Sequence, residues 1–185
     1  LRVHPTIRSG REVLTATPLR VGYSSSSGER ALFSTPELRV ERGDRVAIMG
    51  QNGSGKSTLL RTIVGELAPL SGRVSFGTNV KVGYYAQGHE GLPTDGSPLS
   101  ILVGSQPMSE DAARTYLARF LFRGDEVHRP VSALSGGERS RLALACLLVE
   151  GANLLILDEP TEGLDPNQRV EIRRLIAGLP LEERV

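Results

Sequence analysis

Gly50-Gln51-Asn52-Gly53-Ser54-Gly55-Lys56-Ser57-Thr58 fits the pattern G-x-x-x-x-G-K-[ST], which has meaning only between a strand and a helix. Both flanks are of the right kind. The apolar run Arg45-Val46-Ala47-Ile48-Met49 before it reads as a strand, and Thr58 to about Glu66 after it reads as an amphipathic helix. Glycines at this junction let the chain turn sharply, so that successive N–H groups converge on one point at the positive end of the helix. A phosphate chain is the natural occupant. In such a loop Lys56 reaches the β- and γ-phosphates as a point charge and the Ser57 hydroxyl ligates Mg²⁺. Gly50, Asn52, Gly53, Ser54, Gly55, Lys56, Ser57 and Thr58 are the candidate nucleotide contacts. A glycine-rich turn beside a chance lysine would not have both flanks.

The remaining composition bounds the answer. With 185 residues, 39% hydrophobic and 23% charged, the chain is long enough for one substantial core. Lys+Arg 22 against Asp+Glu 21 gives a net charge of +1, so the global balance does not point to a nucleic-acid partner. One cysteine, Cys146, excludes an internal disulfide and fits a reducing, cytoplasmic setting. It sits in an apolar helical stretch and reads as a small buried side chain. No run reaches the roughly 18 to 20 apolar residues of a membrane span, so direct membrane insertion is not expected. Nor do the first residues form the apolar core of a signal peptide. The chain begins with Leu1 rather than Met, and we expect a piece of a longer protein.

Read in order, residues 1–18 are expected to be a linker or tail, polar and irregular to about Ala16. Short strands follow at Leu19 to Tyr23, Ala31 to Phe33, Glu37 to Glu41 and Arg45 to Met49, the last two joined by Arg42-Gly43-Asp44. The early strands read as antiparallel, and the one feeding the glycine loop as part of a parallel sheet. Strands return at Arg73 to Phe76 and Val80 to Tyr85, with Gln87 just beyond. Ser100 to Phe122 reads as helices carrying Tyr116, Leu117, Phe120 and Leu121 as one apolar stripe.

Ser135-Gly136-Gly137-Glu138 has the S-x-x-E spacing of a capping box, which puts Ser135 at the N-cap of a helix running to about Glu150. Two glycines in a first helical turn each forgo about 1 kcal/mol of helix propensity against alanine. Bare backbone there lets an anion approach. Leu154-Leu155-Ile156-Leu157-Asp158-Glu159 reads as a strand buried on both faces that ends in two carboxylates at the ligand edge of the sheet. Asp165-Pro166 then opens a last helix.

In their order and spacing the glycine loop, Gln87, Leu134-Ser135-Gly136-Gly137-Glu138 and Leu157-Asp158-Glu159-Pro160-Thr161 resemble the ATP-binding cassette (ABC) ATPases. The resemblance implies an α/β phosphate-loop NTPase core with a parallel sheet, an antiparallel β subdomain and a helical subdomain at about 88–134, all within 19–185. It also implies ATP and Mg²⁺ as cofactors and assigns roles. Tyr23 would stack on adenine, Asp158 would hold Mg²⁺ through water, and Glu159 would be the general base. Gln87 would contact the metal and the attacking water. Ser135, Gly136 and Gly137 would close over the γ-phosphate held by the Lys56 of a second cassette, on the same chain or in a homodimer. Asp165 would couple the two sites. The family's histidine beyond the Asp-Glu pair has no counterpart, since His4, His89 and His128 all precede it. Slow hydrolysis is therefore an expectation.

Tyr84-Tyr85-Ala86-Gln87 and Ala133 to Arg139 look most like the second cassette of the soluble ABC-F proteins, which act on the ribosome. Thr161-Glu162-Gly163-Leu164-Asp165 looks more like a transporter cassette, whose partner is a membrane subunit. A non-hydrolysing, ATP-dependent dimerisation module is the third reading.

Overall fold

A computed structural model describes residues 8–86, 92–158 and 170. These fall into two compact units that divide between Val82 and Gly83, and each is taken by itself. The first unit contains strands β1 (Glu12–Ala16), β2 (Arg20–Ser25), β3 (Gly28–Ser34) and β4 (Leu38–Glu41), helix α1 (Lys56–Val64) and strand β5 (Val74–Phe76). β1 lies between β4 and β5 and is antiparallel to both, while β2 and β3 form a separate antiparallel pair. Val13, Leu14, Ala16, Leu19 and Val21 are buried here, joined by Leu59 and Ile63 of α1, which are one helical turn apart.

Two expectations are corrected in this unit. The stretch read as an irregular tail contains β1, the central strand of its sheet, and Ser9 is already buried and accepts a bond from the Arg42 guanidinium through its carbonyl at 2.9 Å. Glu12-Val13-Leu14-Thr15-Ala16 hides its strand character because a bulge between Glu12 and Leu14 breaks the two-residue alternation. Arg45–Met49, read as a strand, forms none, and Val46 and Met49 are 67% and 92% exposed. The turn at Arg42-Gly43 exists, with the Asp44 N–H donating to the Glu41 carbonyl at 3.1 Å, but β4 takes β1 as its partner. A strand of a parallel sheet owes its burial to its neighbours, so an apolar run alone does not secure one.

The second unit contains β6 (Val82–Tyr85, whose first residue is the last of the first unit), α2 (Pro98–Ser105), α3 (Glu110–Ala118), two 3₁₀ turns, α4 (Gly136–Val149) and β7 (Leu154–Leu157). β6 pairs with β7. Leu102, Leu117, Phe122 and Leu142 centre its core, and the Tyr116 hydroxyl donates to the Ala145 carbonyl at 3.2 Å, tying α3 to α4. Burial pushes the Tyr116 phenol well above its ordinary value. β7 is less enclosed than its apolar sequence implies: Ile156 is buried and its neighbours are half-buried. Among the described residues no helix is long and apolar enough to cross a membrane.

The expected stripe on α3 also needs correcting. Tyr116, Leu117 and Phe120 are buried, but Leu121 is 37% exposed and adopts φ 66°. The Phe122 N–H donates to the Leu117 carbonyl and the Leu121 N–H to the Ala118 carbonyl, the paired bonds of a helix end that places one residue in the left-handed region. Leu121 occupies that place, and Phe122 turns inward instead. Such a residue costs about 1–2 kcal/mol when it is not glycine. Leu121→Gly is therefore expected to raise stability by roughly 1 kcal/mol and Leu121→Val to lower it; denaturant midpoints of the three chains check the order.

Candidate functional site

The first unit holds the glycine loop. Gly53 and Gly55 have φ of 78° and 94°, and the Ser54 N–H closes a turn on the Gln51 carbonyl at 3.2 Å. Gly55 is also the N-cap of α1, which has no side-chain cap and no acidic residue in its first turn. The contrast with the other helices is direct, since Ser97, Ser109 and Ser135 each accept a hydrogen bond at the starts of α2, α3 and α4. Only α1 among these helices presents its positive end without a side-chain oxygen.

A Cβ on Gly55 would stand 2.7 Å from Phe33 Cε1, so β3 packs against the loop at a spacing only glycine permits. Lys56 Nζ donates to the Gly50 and Gln51 carbonyls, both at 3.1 Å, and braces the loop from within. Gln51, Asn52, Gly53 and Ser54 are exposed, Ser57 is half-buried and Thr58 is buried. Tyr23 is 49% exposed and outside the core, and its hydroxyl shares a 3.0 Å hydrogen bond with Thr58 Oγ1. The ring is thereby tied to the first turn of α1 while much of its surface stays accessible.

The second unit holds the other two motifs. Ser135 caps α4 through the predicted capping box: its hydroxyl accepts from the Glu138 N–H at 3.3 Å, and Glu138 Oε2 accepts from the Ser135 N–H at 2.7 Å. The Arg129 guanidinium, 3.0 Å away, holds the other carboxylate oxygen. Burial alone would raise the Glu138 pKa, but the bonds from Ser135 and Arg129 outweigh it and hold the carboxyl below its ordinary 4.5. Gly136 is exposed and Gly137 is buried. Cys146 is half-buried and its thiol is pushed up to about 12, chiefly by burial with Glu150 adding to it, as an inert packing residue should be.

Asp158 follows β7 and is 3% exposed. Its N–H donates to the Tyr85 carbonyl at 2.9 Å, and its Oδ2 accepts from the Tyr84 hydroxyl at 3.3 Å. Glu159, Gln87 and Asp165 lie outside the described residues. Sequence reasoning missed Phe33, Arg129 and Tyr84 as supports of these motifs. Period-two alternation could have found Tyr84, because with Tyr85 in the core its neighbour must face the other way.

Among the described residues no three His, Cys, Asp or Glu side chains gather as a metal cage. The Ser57 hydroxyl, in the first turn of α1, is the kind of hard oxygen donor that Mg²⁺ takes together with substrate phosphates. The glycine loop likewise fits a phosphate chain.

A loop of this geometry in an α/β chain defines a phosphate-loop nucleotide-binding protein. Residues 33–162 match the ABC transporter family, and the chain belongs to that family as an ATP-binding cassette. It is 42% identical to YdiF of Bacillus subtilis, named as an ATP-binding protein, over 95% of this chain and 27% of that protein. It is 40% identical to the ATP-binding protein Uup of Caulobacter vibrioides over 85% of this chain and 26% of Uup. The chain thus spans about a quarter of these relatives. Among solved structures it resembles cbiO1 of Clostridium perfringens, part of the ABC transporter complex cbiONQ, with a TM-score of 0.71, 30% identity and coverage of 90% of this chain and 73% of that one. The fold of the ATP-binding cassette MJ0796, solved as a dimer with ADP and phosphate, matches with a TM-score of 0.71 at 23% identity over 88% of this chain and 81% of that one.

Two outcomes are expected. Gly55→Ala should cost roughly 1–3 kcal/mol of stability through its positive φ and the clash with Phe33, and should weaken ATP binding at least about tenfold, ~1.4 kcal/mol; thermal melts and nucleotide titration read both. For Glu138, a folded pKa below the unfolded one means a stabilisation present above pH 4.5 and lost as pH falls through the folded value. Melting curves of the parent chain and Glu138→Gln should therefore differ most near neutral pH and converge in acid.

Proposed function

We propose that this chain binds and hydrolyses Mg-ATP as one of two cassettes that meet head to tail. The observation that carries the reading is the helix start beneath the glycine loop, uncapped and free of acidic residues while its three counterparts are serine-capped. Its N–H groups and Lys56 take the phosphates, and Ser57, Gln87 and Asp158 are the residues to hold the metal. Bound Mg²⁺ supplies neutralisation of charge on the β- and γ-phosphate oxygens. Glu159 accepts a proton from water as the water oxygen attacks the γ-phosphorus and the bond to the β-phosphate oxygen breaks, leaving ADP and phosphate.

Tyr23 offers a half-exposed ring for adenine, held in orientation by its bond to Thr58. The partner cassette's phosphates are met by Ser135, Gly136 and Gly137. Ser135 spends a lone pair on its own helix and keeps a hydroxyl proton to donate, and Gly136 leaves its backbone exposed. Asp165 couples the two sites.

We further infer that the whole protein is an ABC-F type factor of the cytoplasm that acts on the ribosome, with closure on ATP favouring the bound state and hydrolysis releasing it. The ABC-F likeness of Tyr84-Tyr85-Ala86-Gln87 and Ala133 to Arg139 supports this, and relatives near 40% identity, named as ATP-binding proteins, support the ATP-binding cassette beneath it. The rival, a transporter subunit with a membrane partner, draws on the lower likeness to cbiO1 and on Thr161 to Asp165.

Steady-state hydrolysis and Mg-ATP binding test the reading. Lys56→Ala is expected to lower ATP affinity at least about tenfold, and Glu159→Gln to retain binding, lose turnover and accumulate an ATP-dependent dimer. Co-sedimentation of Glu159→Gln with ribosomes in ATP, but not in ADP, is the expected outcome for the ABC-F assignment. ATP binding with a dimer but no turnover by the parent chain would leave only a dimerisation module, and ATP binding with neither would leave only a phosphate site without what closes it.

A further inference from the structure

We propose that Tyr84 is a positioning residue for the metal-holding carboxylate, fixing Asp158 through its phenol. The inference rests on Asp158 being that carboxylate, as set out above. Tyr84 and Tyr85 are consecutive on β6 and point to opposite faces. Tyr85 is 4% exposed, lies in the helical core and reaches Ser140 of α4. Tyr84 is left on the face from which its hydroxyl meets Asp158 Oδ2.

Asp158 is thus held twice from one strand. Its N–H donates to the Tyr85 carbonyl at 2.9 Å, carrying the β6–β7 pairing one residue past Leu157 and fixing the backbone. The phenol then limits the carboxylate torsion, which the backbone bond leaves undecided. The carboxylate needs such a donor, because at 3% exposure it has lost most of its water, and a buried carboxylate left short of donors is costly.

The chemical type of the donor matters as much as its position. Lysine or arginine would hold Asp158 more strongly but would neutralise the charge a cation must find there. A phenol satisfies one lone pair by donating a neutral hydrogen bond and leaves the carboxylate's negative charge in place, which is what a cation would need. At 3.3 Å the contact is longer than the usual O–H···O separation of about 2.7–2.8 Å, and bonds of this kind tighten when the charged ligand arrives.

The test uses the full chain with Mn²⁺ as a spectroscopic substitute for Mg²⁺. Electron paramagnetic resonance titration of Mn²⁺ in the presence of a non-hydrolysable ATP analogue gives the metal affinity, and titration of ATP in EDTA gives nucleotide affinity without metal. Tyr84→Phe removes one oxygen and is expected to weaken Mn²⁺ binding about tenfold or more, with metal-free ATP affinity unchanged and a thermal midpoint close to the parent's. In an Asp158→Asn background the same substitution should add no further loss. If Asp158→Asn weakens Mn²⁺ binding but Tyr84→Phe does not, Tyr84 has no positioning role and the assignment of Asp158 stands. If Tyr84→Phe lowers the midpoint and both affinities together, its role is structural and the proposal fails. Unchanged Mn²⁺ binding by Asp158→Asn would overturn the reading of Asp158, and this inference with it.

Discussion

Every α-helix begins with N–H groups that its own carbonyls cannot reach, and the four described helices meet that deficit in two ways. α2, α3 and α4 meet it locally with a serine oxygen. α1 has glycine at the same position, with a left-handed backbone and no side-chain oxygen to offer. The first unit depends on that difference. β3 can press Phe33 against Gly55 because no Cβ intervenes, Lys56 can fold back onto the loop carbonyls, and Tyr23 can tether its ring to Thr58. A helix end left electrically incomplete is useful only where a ligand completes it.

In the second unit the same deficit is met in full, yet the cap leaves room for a ligand. Glu138 and Ser135 satisfy each other's backbone donors, and Arg129 holds the carboxylate from outside. The helix can therefore carry two glycines in its first turn, since the reciprocal cap offsets part of the propensity they lack. Stability at this helix start comes from side chains, while the backbone of Gly136 remains accessible.

Much of this was legible beforehand. The glycine loop, the capping box and the apolar strand ending in Asp158 each have a local chemical cause, so their spacing was enough. What sequence could not supply was set by distant partners. β1 is a strand because β4 and β5 flank it, and a bulge erased its alternation. Arg45–Met49 reads as a strand from composition alone, but ladders require neighbours. Leu121 fits the stripe of α3 by count and leaves it because the helix ends before it. Arg129 and Tyr84 support motifs from 9 and 74 positions away, separations no short pattern spans.

A slip of β6 by one position would turn each of its side chains to the opposite face. Moved one way, Tyr84 would enter the core place of Tyr85 and Gly83 would stand beside Asp158; moved the other, Tyr85 would stand beside Asp158 and Ala86 would fall in the core. Either slip keeps a tyrosine in only one of the two places. Gly83 opposes both: a Cβ there would lie 2.7 Å from the Ala152 Cβ and 3.1 Å from Leu155 Cδ2, so neither Val82 nor Tyr84 could take its place in a slipped strand. A residue without a side chain thus acts as the locating notch of the pairing, and it keeps the phenol of Tyr84 beside the carboxylate.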